Sequence, residues 1–244
     1  MRYGIFSDVH ANGEALDAVL TSLRNDRVDC YLFLGDIVGY GGSPQECIER
    51  LRGLIEQKQC FVVAGNHDGA VCGMTDTVNF NYYAQQAVEW TQAVLPVSDK
   101  IFLKNMPLVV CDKTFYAVHA SLIEPHRWHY VRTIREASAN IAMLDKYVCF
   151  FGHTHRPELF VARERVERNT LRTITFEKKN RYLINVGSVG QPRDRDPRAS
   201  YGIYDSRTRT FTFKRVPYDV RSAQKKILAA DLPPFLAQRL RVGE

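Results

Sequence analysis

Asp8 and His10 stand two residues apart in "SDVHAN", and Asp36 follows a glycine in "GDIVGYGG". Further along, "GNHDG" supplies Asn66, His67 and Asp68, "VHAS" supplies His119, and "FFGHTHRP" supplies His153 and His155. Carboxylate, imidazole and amide oxygen together suit borderline divalent ions such as manganese, iron, cobalt, nickel or zinc. An all-oxygen magnesium or calcium site would not need this much imidazole. Two such ions about 3.5–4 Å apart repel each other, so a shared carboxylate and a bridging hydroxide favour the pair. Each motif alone has a plainer reading: a loop histidine at the surface, a tight turn at "GNHD", an ordinary helix cap at Asp36. Their conjunction, in this order, is what points to a metal centre.

A metal centre needs elements that bring the five motifs together. Each motif follows an apolar, strand-like run: Arg2 to Phe6, Cys30 to Leu34, Cys60 to Val63, Phe115 to Val118 and Tyr147 to Phe151. Between the first three, Ala15, Leu16, Val19, Leu20 and Leu23, then Cys47, Ile48, Leu51, Leu54 and Ile55, keep helical spacing. The second helix opens on "SPQE", with Ser43 as cap, Pro44 at the first helical position and Glu46 completing a capping box. This βαβαβ pattern predicts a largely parallel sheet, whose ligand loops gather beyond the strand C-termini. Glycines at 35, 65 and 152 let the backbone turn sharply beside the cluster.

"NYYAQQAVEWTQAVL" predicts a helix whose aromatics pack, and Thr133 with Glu136 caps "TIREASANIAML". A strand-rich second half follows: Leu159 to Val161, Thr170 to Phe176, Tyr182 to Val186, and a hairpin of Tyr201 to Asp205 with Thr210 to Val216. A helix from Val220 to Ala230 comes after it. A second sheet packed on the first fits this pattern.

The chain of 244 residues is 45% hydrophobic and 25% charged, which suits one globular domain over 1–244 with a well-buried core. No apolar run approaches the roughly 18 residues of a membrane span, and "MRYGIFSDVH" shows no secretory pattern. Cys30, Cys60 and Cys149 lie in or beside apolar runs and read as reduced, buried thiols, so a cytoplasmic protein is expected. Residues 1–162 carry 14 Lys/Arg against 18 Asp/Glu, whereas residues 163–226 carry 17 against 7. That basic stretch serves an anionic substrate, a nucleic acid or no more than a solvated face.

The order D-x-H, G-D, G-N-H-D, H and G-H-x-H resembles the calcineurin-like metallophosphoesterase superfamily over residues 3 to about 216. Size and the segment "NVGSVGQPRDRDPRASYGIYD" look most like its small prokaryotic phosphodiesterase branch. The resemblance implies a four-layer α/β/β/α sandwich of two packed mixed β-sheets. It also implies two divalent ions, manganese first among iron, nickel, cobalt and zinc. Asp8, His10, Asp36 and His155 would hold one ion, and Asp36, Asn66, His119 and His153 the other. A hydroxide bridging the ions would attack phosphorus, with His67 stabilising the developing charge and acting as general acid, and Asp68 either orienting His67 or stabilising the turn.

Around that centre, Asn12 could reach a phosphate or cap the following helix. Ser188, Gln191 and Arg193 fall in the loop after Val186, a rim position suited to phosphate contact, while Arg195 and Arg198 fit a basic face as well. Trp128 either stacks on a nucleobase or packs under its loop. The expected activity is a phosphodiesterase acting on small phosphodiesters or nucleotides. A phosphomonoesterase or dinucleoside polyphosphate hydrolase would use the same residues. A non-catalytic scaffold is the alternative of another class; a retromer subunit of this fold serves that way, having lost the histidine that this chain keeps as His67. No membrane partner is expected. A nuclease is a further alternative, against which stands the lack of room for a separate DNA-binding domain, and a free edge between residues 159 and 182 offers a surface for a homo-oligomer.

Overall fold

The computed structural model describes residues 1–57 and 60–244. β1 (Arg2–Phe6), α1 (Gly13–Asn25), β2 (Cys30–Phe33), α2 (Pro44–Gln57) and β3 (Cys60–Val62) form the expected βαβαβ unit, with all three strands parallel. Three helices follow: α3 (Asn66–Val71), α4 (Tyr82–Val94) and α5 (Val97–Lys104). Next come β4 (Val109–Cys111), β5 (Phe115–Val118), α6 (Ile134–Ile141) and β6 (Val148–Phe151). The strand-rich half comprises β7 (Pro157–Ala162), β8 (Val166–Asn169), β9 (Thr173–Thr175), β10 (Arg181–Val186), β11 (Ala199–Asp205) and β12 (Thr210–Val216). After it come α7 (Val220–Ala229) and α8 (Pro234–Gln238).

Two six-stranded sheets result, in the orders β3-β2-β1-β11-β12-β9 and β4-β5-β6-β10-β7-β8. Both are mixed. The first is less parallel than its opening half suggests, because β11 lies antiparallel against β1, with Gly4 opposite Ile203. Alternation along each strand explains the layering. Tyr3 and Ile5 of β1 and Cys30 and Leu32 of β2 meet Phe115, Phe150 and Ile184 of the other sheet. Phe6, Tyr31 and Phe33 point the opposite way, onto α1 and α2, while Cys149 and Phe151 of β6 point onto Ala137 and Ile141 of α6. Burial on both faces is why the central strands read as continuous apolar runs. The result is a four-layer α/β/β/α sandwich, each large buried side chain contributing roughly 1.5–3 kcal/mol.

Several local expectations need correction. Thr133 and Glu136 form their capping box, but Ser43 Oγ is buried without a hydrogen-bond partner among the described residues. Glu46 instead pairs with Arg50 and Lys226. Cys60 is only half-buried, since β3 is a sheet edge. The strand over 170–176 shrinks to β9, and the polar β8, "VERN", gave no apolar signal. β8 and β9 are both edge strands, which places an open edge in the 159–182 region. No described helix is long and apolar enough to cross a membrane.

Candidate metal centre

The five motifs converge where the parallel strands end. Asp8 and His10 follow β1, Asp36 follows β2, and Asn66, His67 and Asp68 open α3 just past β3. His119 follows β5, and His153 and His155 follow β6. Five of the nine residues bend the backbone the same way: Asp8, His10, Asp36, His153 and His155 have φ between 50° and 68°. Left-handed conformations cost a non-glycine residue about 1–2 kcal/mol each, so the surrounding fold enforces the arrangement. Gly65 and Gly152 are required for close approach: a Cβ on Gly65 would lie 2.1 Å from Asp36 Oδ1, and one on Gly152 2.6 Å from Asp8 Oδ2.

Second contacts fix which imidazole nitrogen faces inward. Nδ1 of His10 donates to Val38 O at 3.1 Å, that of His119 to Leu34 O at 2.7 Å, and that of His155 to Gln191 O at 2.6 Å. A carbonyl only accepts, so each Nδ1 carries a proton and each Nε2 is the atom turned into the cluster. There His10 Nε2 and His155 Nε2 face each other at 3.1 Å, an arrangement of two acceptors that a cation between them would satisfy. Asp8 Oδ1 lies 3.8 Å from His10 Nε2 and 3.5 Å from His155 Nε2. Asp36 Oδ2 lies 3.6 Å from His10 Nε2 and 3.3 Å from His119 Nε2, while Oδ1 accepts from the His67 backbone N–H. Asn66 Oδ1 is 3.1 Å from His119 Nε2. His153 stands one step out, with its ring stacked 4.1 Å from Tyr130 and its buried Nε2 without a hydrogen-bond partner among the described residues.

The charges of the cluster divide its imidazoles. Burial opposes a charge on His119, but the facing Asp36 carboxylate outweighs it and pushes the imidazole up to about 9. Burial, reinforced by the charge of Asp36, pushes Asp8 up to about 7. Burial holds His10, His153 and His155 well below the ordinary histidine range. Buried carboxylates facing imidazoles, with an orphaned ring nitrogen beside them, fit divalent ions, whose binding would displace the proton that Asp36 holds on His119. Groupings within 4.8 Å include Asp8–His10–His155 and Asp8–Asp36–His119, and a further one joins His10 and Asp36 to His67.

Other expected roles change. Asp68 stabilises the turn rather than orienting His67: its fully buried carboxylate accepts from the backbone N–H groups of Asp36, Ile37, Val38 and Gly65. We expect Asp68→Ala to cost roughly 3 kcal/mol or more, since it strands buried donors, and thermal or denaturant unfolding of the metal-free protein will measure it. A loss below about 1 kcal/mol would contradict this anchoring role. Asn12 does not face substrate; its amide accepts from Ala15 N–H and donates to Gly190 O. Ser188 is likewise internal, donating to Asp8 O and accepting from Gln191 N–H. Gln191 is 2% exposed and accepts from Arg193 rather than facing substrate itself.

Arg193 does reach the cleft, a cavity of about 360 Å³ that Asp36, Asn66, His67, His153 and His155 also line. His67 sits in its wall between Tyr40 and Phe80, at 4.5 and 4.9 Å between ring centroids. Burial lowers His67 to about 4, so the free cleft holds it neutral. Tyr40, Phe80 and Tyr130 were not singled out from the sequence for this site, and "GYGG", "NFN" and "HYV" carry no chemical signature. Trp128 both packs and lines the cleft, with Nε1 donating to Thr75 Oγ1 at 3.2 Å. Much of the basic stretch is ion-paired, as in Arg198–Asp196 and Lys214–Asp26.

Known proteins share this architecture. A protein of Methanocaldococcus jannaschii, itself uncharacterized, is 37% identical over 246 residues, 98% of this chain and 97% of its own. The solved structure of a metallophosphoesterase from Sphaerobacter thermophilus is 39% identical with a TM-score of 0.86, covering 100% of this chain and 99% of that one. A hypothetical protein from Pyrococcus horikoshii OT3, only 19% identical, shares the fold at a TM-score of 0.84, over 100% and 98% of the two chains. Residues 1–209 match the calcineurin-like phosphoesterase superfamily domain. That match begins before β1 and runs into the turn between β11 and β12, so it takes in every residue of the cluster, and the chain belongs to the calcineurin-like phosphoesterase superfamily.

Proposed function

We propose that the chain is a metal-dependent phosphodiesterase of small phosphodiester or nucleotide substrates, acting as one domain over residues 1–244. The observation that carries this reading is the convergence of three imidazole Nε2 atoms on two buried carboxylates at the head of a cleft that His67 and Arg193 also line. Asp8, His10, Asp36 and His155 would hold one divalent ion, and Asp36, Asn66, His119 and His153 the other. Such ions supply Lewis acidity and a source of hydroxide near neutral pH. Asp36 is suited to the shared position, because its Oδ2 lies near imidazoles of both sets while its Oδ1 is anchored to the backbone. His67 reaches the cleft as the proton donor to the leaving oxygen, its proton affinity raised by the charge of a bound ester. Arg193 offers the nonbridging oxygens a planar pair of donors. A cleft of about 360 Å³ suits a small molecule.

Hydrolysis of bis-(p-nitrophenyl) phosphate by metal-stripped protein, before and after adding manganese, tests this reading, with the monoester run beside it. Restored cleavage of the diester, faster than that of the monoester, is expected. The opposite preference would make the protein a phosphatase. Demonstrable metal binding without turnover of either ester would count against this activity and favour a scaffold.

A further inference from the structure

Arg193 is presented to the cleft in an unusual electrostatic setting. Arg198 and Arg215, also in the basic stretch, are discharged by Asp196 and Asp194. The Arg193 guanidinium instead meets an amide: Gln191 Oε1 accepts from its Nη2 at 2.7 Å and from its Nε at 3.3 Å. Gln191 is itself fixed from several sides. Its backbone N–H donates to Ser188 Oγ, its carbonyl accepts from His155 Nδ1, and Arg193 N–H returns to His155 O at 3.2 Å. One residue therefore sets both the ring orientation of His155 and the aim of Arg193.

An amide oxygen and a carboxylate would hold a guanidinium in nearly the same geometry, but only the carboxylate would neutralise it. We propose that Gln191 is a positioning residue that aims Arg193 into the cleft while leaving its full positive charge for the phosphate oxygens of the substrate. The cation lies 5.7 Å from the Tyr40 ring, whose face adds no negative charge to compete with the ligand. The inference rests on the phosphoester reading of the site and adds a requirement to it: the neutrality of residue 191 matters as much as its shape.

The test is the affinity of manganese-loaded protein for inorganic phosphate, by calorimetry, alongside kinetics on bis-(p-nitrophenyl) phosphate. Gln191→Glu, almost isosteric, is expected to weaken phosphate binding about 10–100-fold, the range expected when a charge-assisted hydrogen bond is lost. It should raise KM more than it lowers kcat. Arg193→Ala should weaken phosphate binding to a similar extent, with partial recovery on adding guanidinium ion, and Arg198→Gln should leave binding unchanged. In the Arg193→Ala background, Gln191→Glu should then have little further effect. Unchanged phosphate affinity in Gln191→Glu or in Arg193→Ala would overturn the proposal. So would a loss from Gln191→Glu that persists in full without Arg193, because it would reflect damage to His155 or to the fold. If the parent protein binds phosphate but cleaves no ester, the phosphodiesterase reading fails while the binding constants still decide the role of Gln191.

Discussion

Asp36→Asn is expected to remove metal and activity together. Asparagine preserves the shape of the side chain, and its oxygen can still accept from the His67 backbone N–H as Asp36 Oδ1 does. What it removes is the charge at the position near His10 and His119 alike. Burial opposes a charge on Asp36, yet the His119 and His67 imidazoles outweigh it and hold its carboxyl below the usual carboxylate range. An amide there presents N–H hydrogens to lone pairs that a cation would otherwise receive. Activity should fall by more than the roughly 10²–10⁴-fold that a proton donor typically supplies. Metal analysis should show clear loss from the two ions expected per parent chain. A second readout avoids turnover altogether. Manganese at a hundredfold excess over its dissociation constant should stabilise the parent by about 2.7 kcal/mol, and the variant should gain little. Full metal content with normal turnover would remove Asp36 from the centre.

The reason so much of this centre is legible in the sequence is geometric. Parallel strands buried on both faces must be apolar along their length, so the first polar residues after each run lie at one end of the sheet. Asp8, Asp36 and His153 stand there whatever the details of packing. The roles that depend on tertiary approach were not legible. Asp68 adjoins His67 in sequence, which suggests a pair. Both lie in the first turn of α3, however, where consecutive residues point about 100° apart. The carboxylate consequently meets the Asp36 turn instead. Asn12 and Ser188 were equally ambiguous, because only the fold shows that their polar atoms are satisfied internally. The wall formed by Phe80 and Tyr130 comes from segments without periodicity or motif, placed beside the cluster by contacts across the chain. The antiparallel docking of β11 on β1 is likewise a choice among sheet edges, and local pattern does not make it.

His67→Ala should separate chemistry from metal binding. The Asp36 carboxylate accepts from the backbone N–H of His67, and alanine keeps that N–H. The imidazole itself lies among Tyr40, His10 and Phe80, with ring centroids 4.5 to 4.9 Å away, and its removal leaves an opening in the cleft wall without withdrawing a hydrogen bond from Asp8 or Asp36. Metal content should therefore match that of the parent. On an ester with an unactivated alkyl leaving group, the rate should fall about 10²–10⁴-fold, the usual range for a general acid. On a p-nitrophenyl ester the fall should be smaller, because that leaving group departs as an anion with little need of a proton. Equal losses on both esters would assign His67 to stabilising charge on the phosphate instead of protonating the leaving oxygen. Normal turnover of the alkyl ester would remove it from the reaction, and loss of metal would place it among the ligands, where its proximity to His10 and Asp36 would then find its explanation.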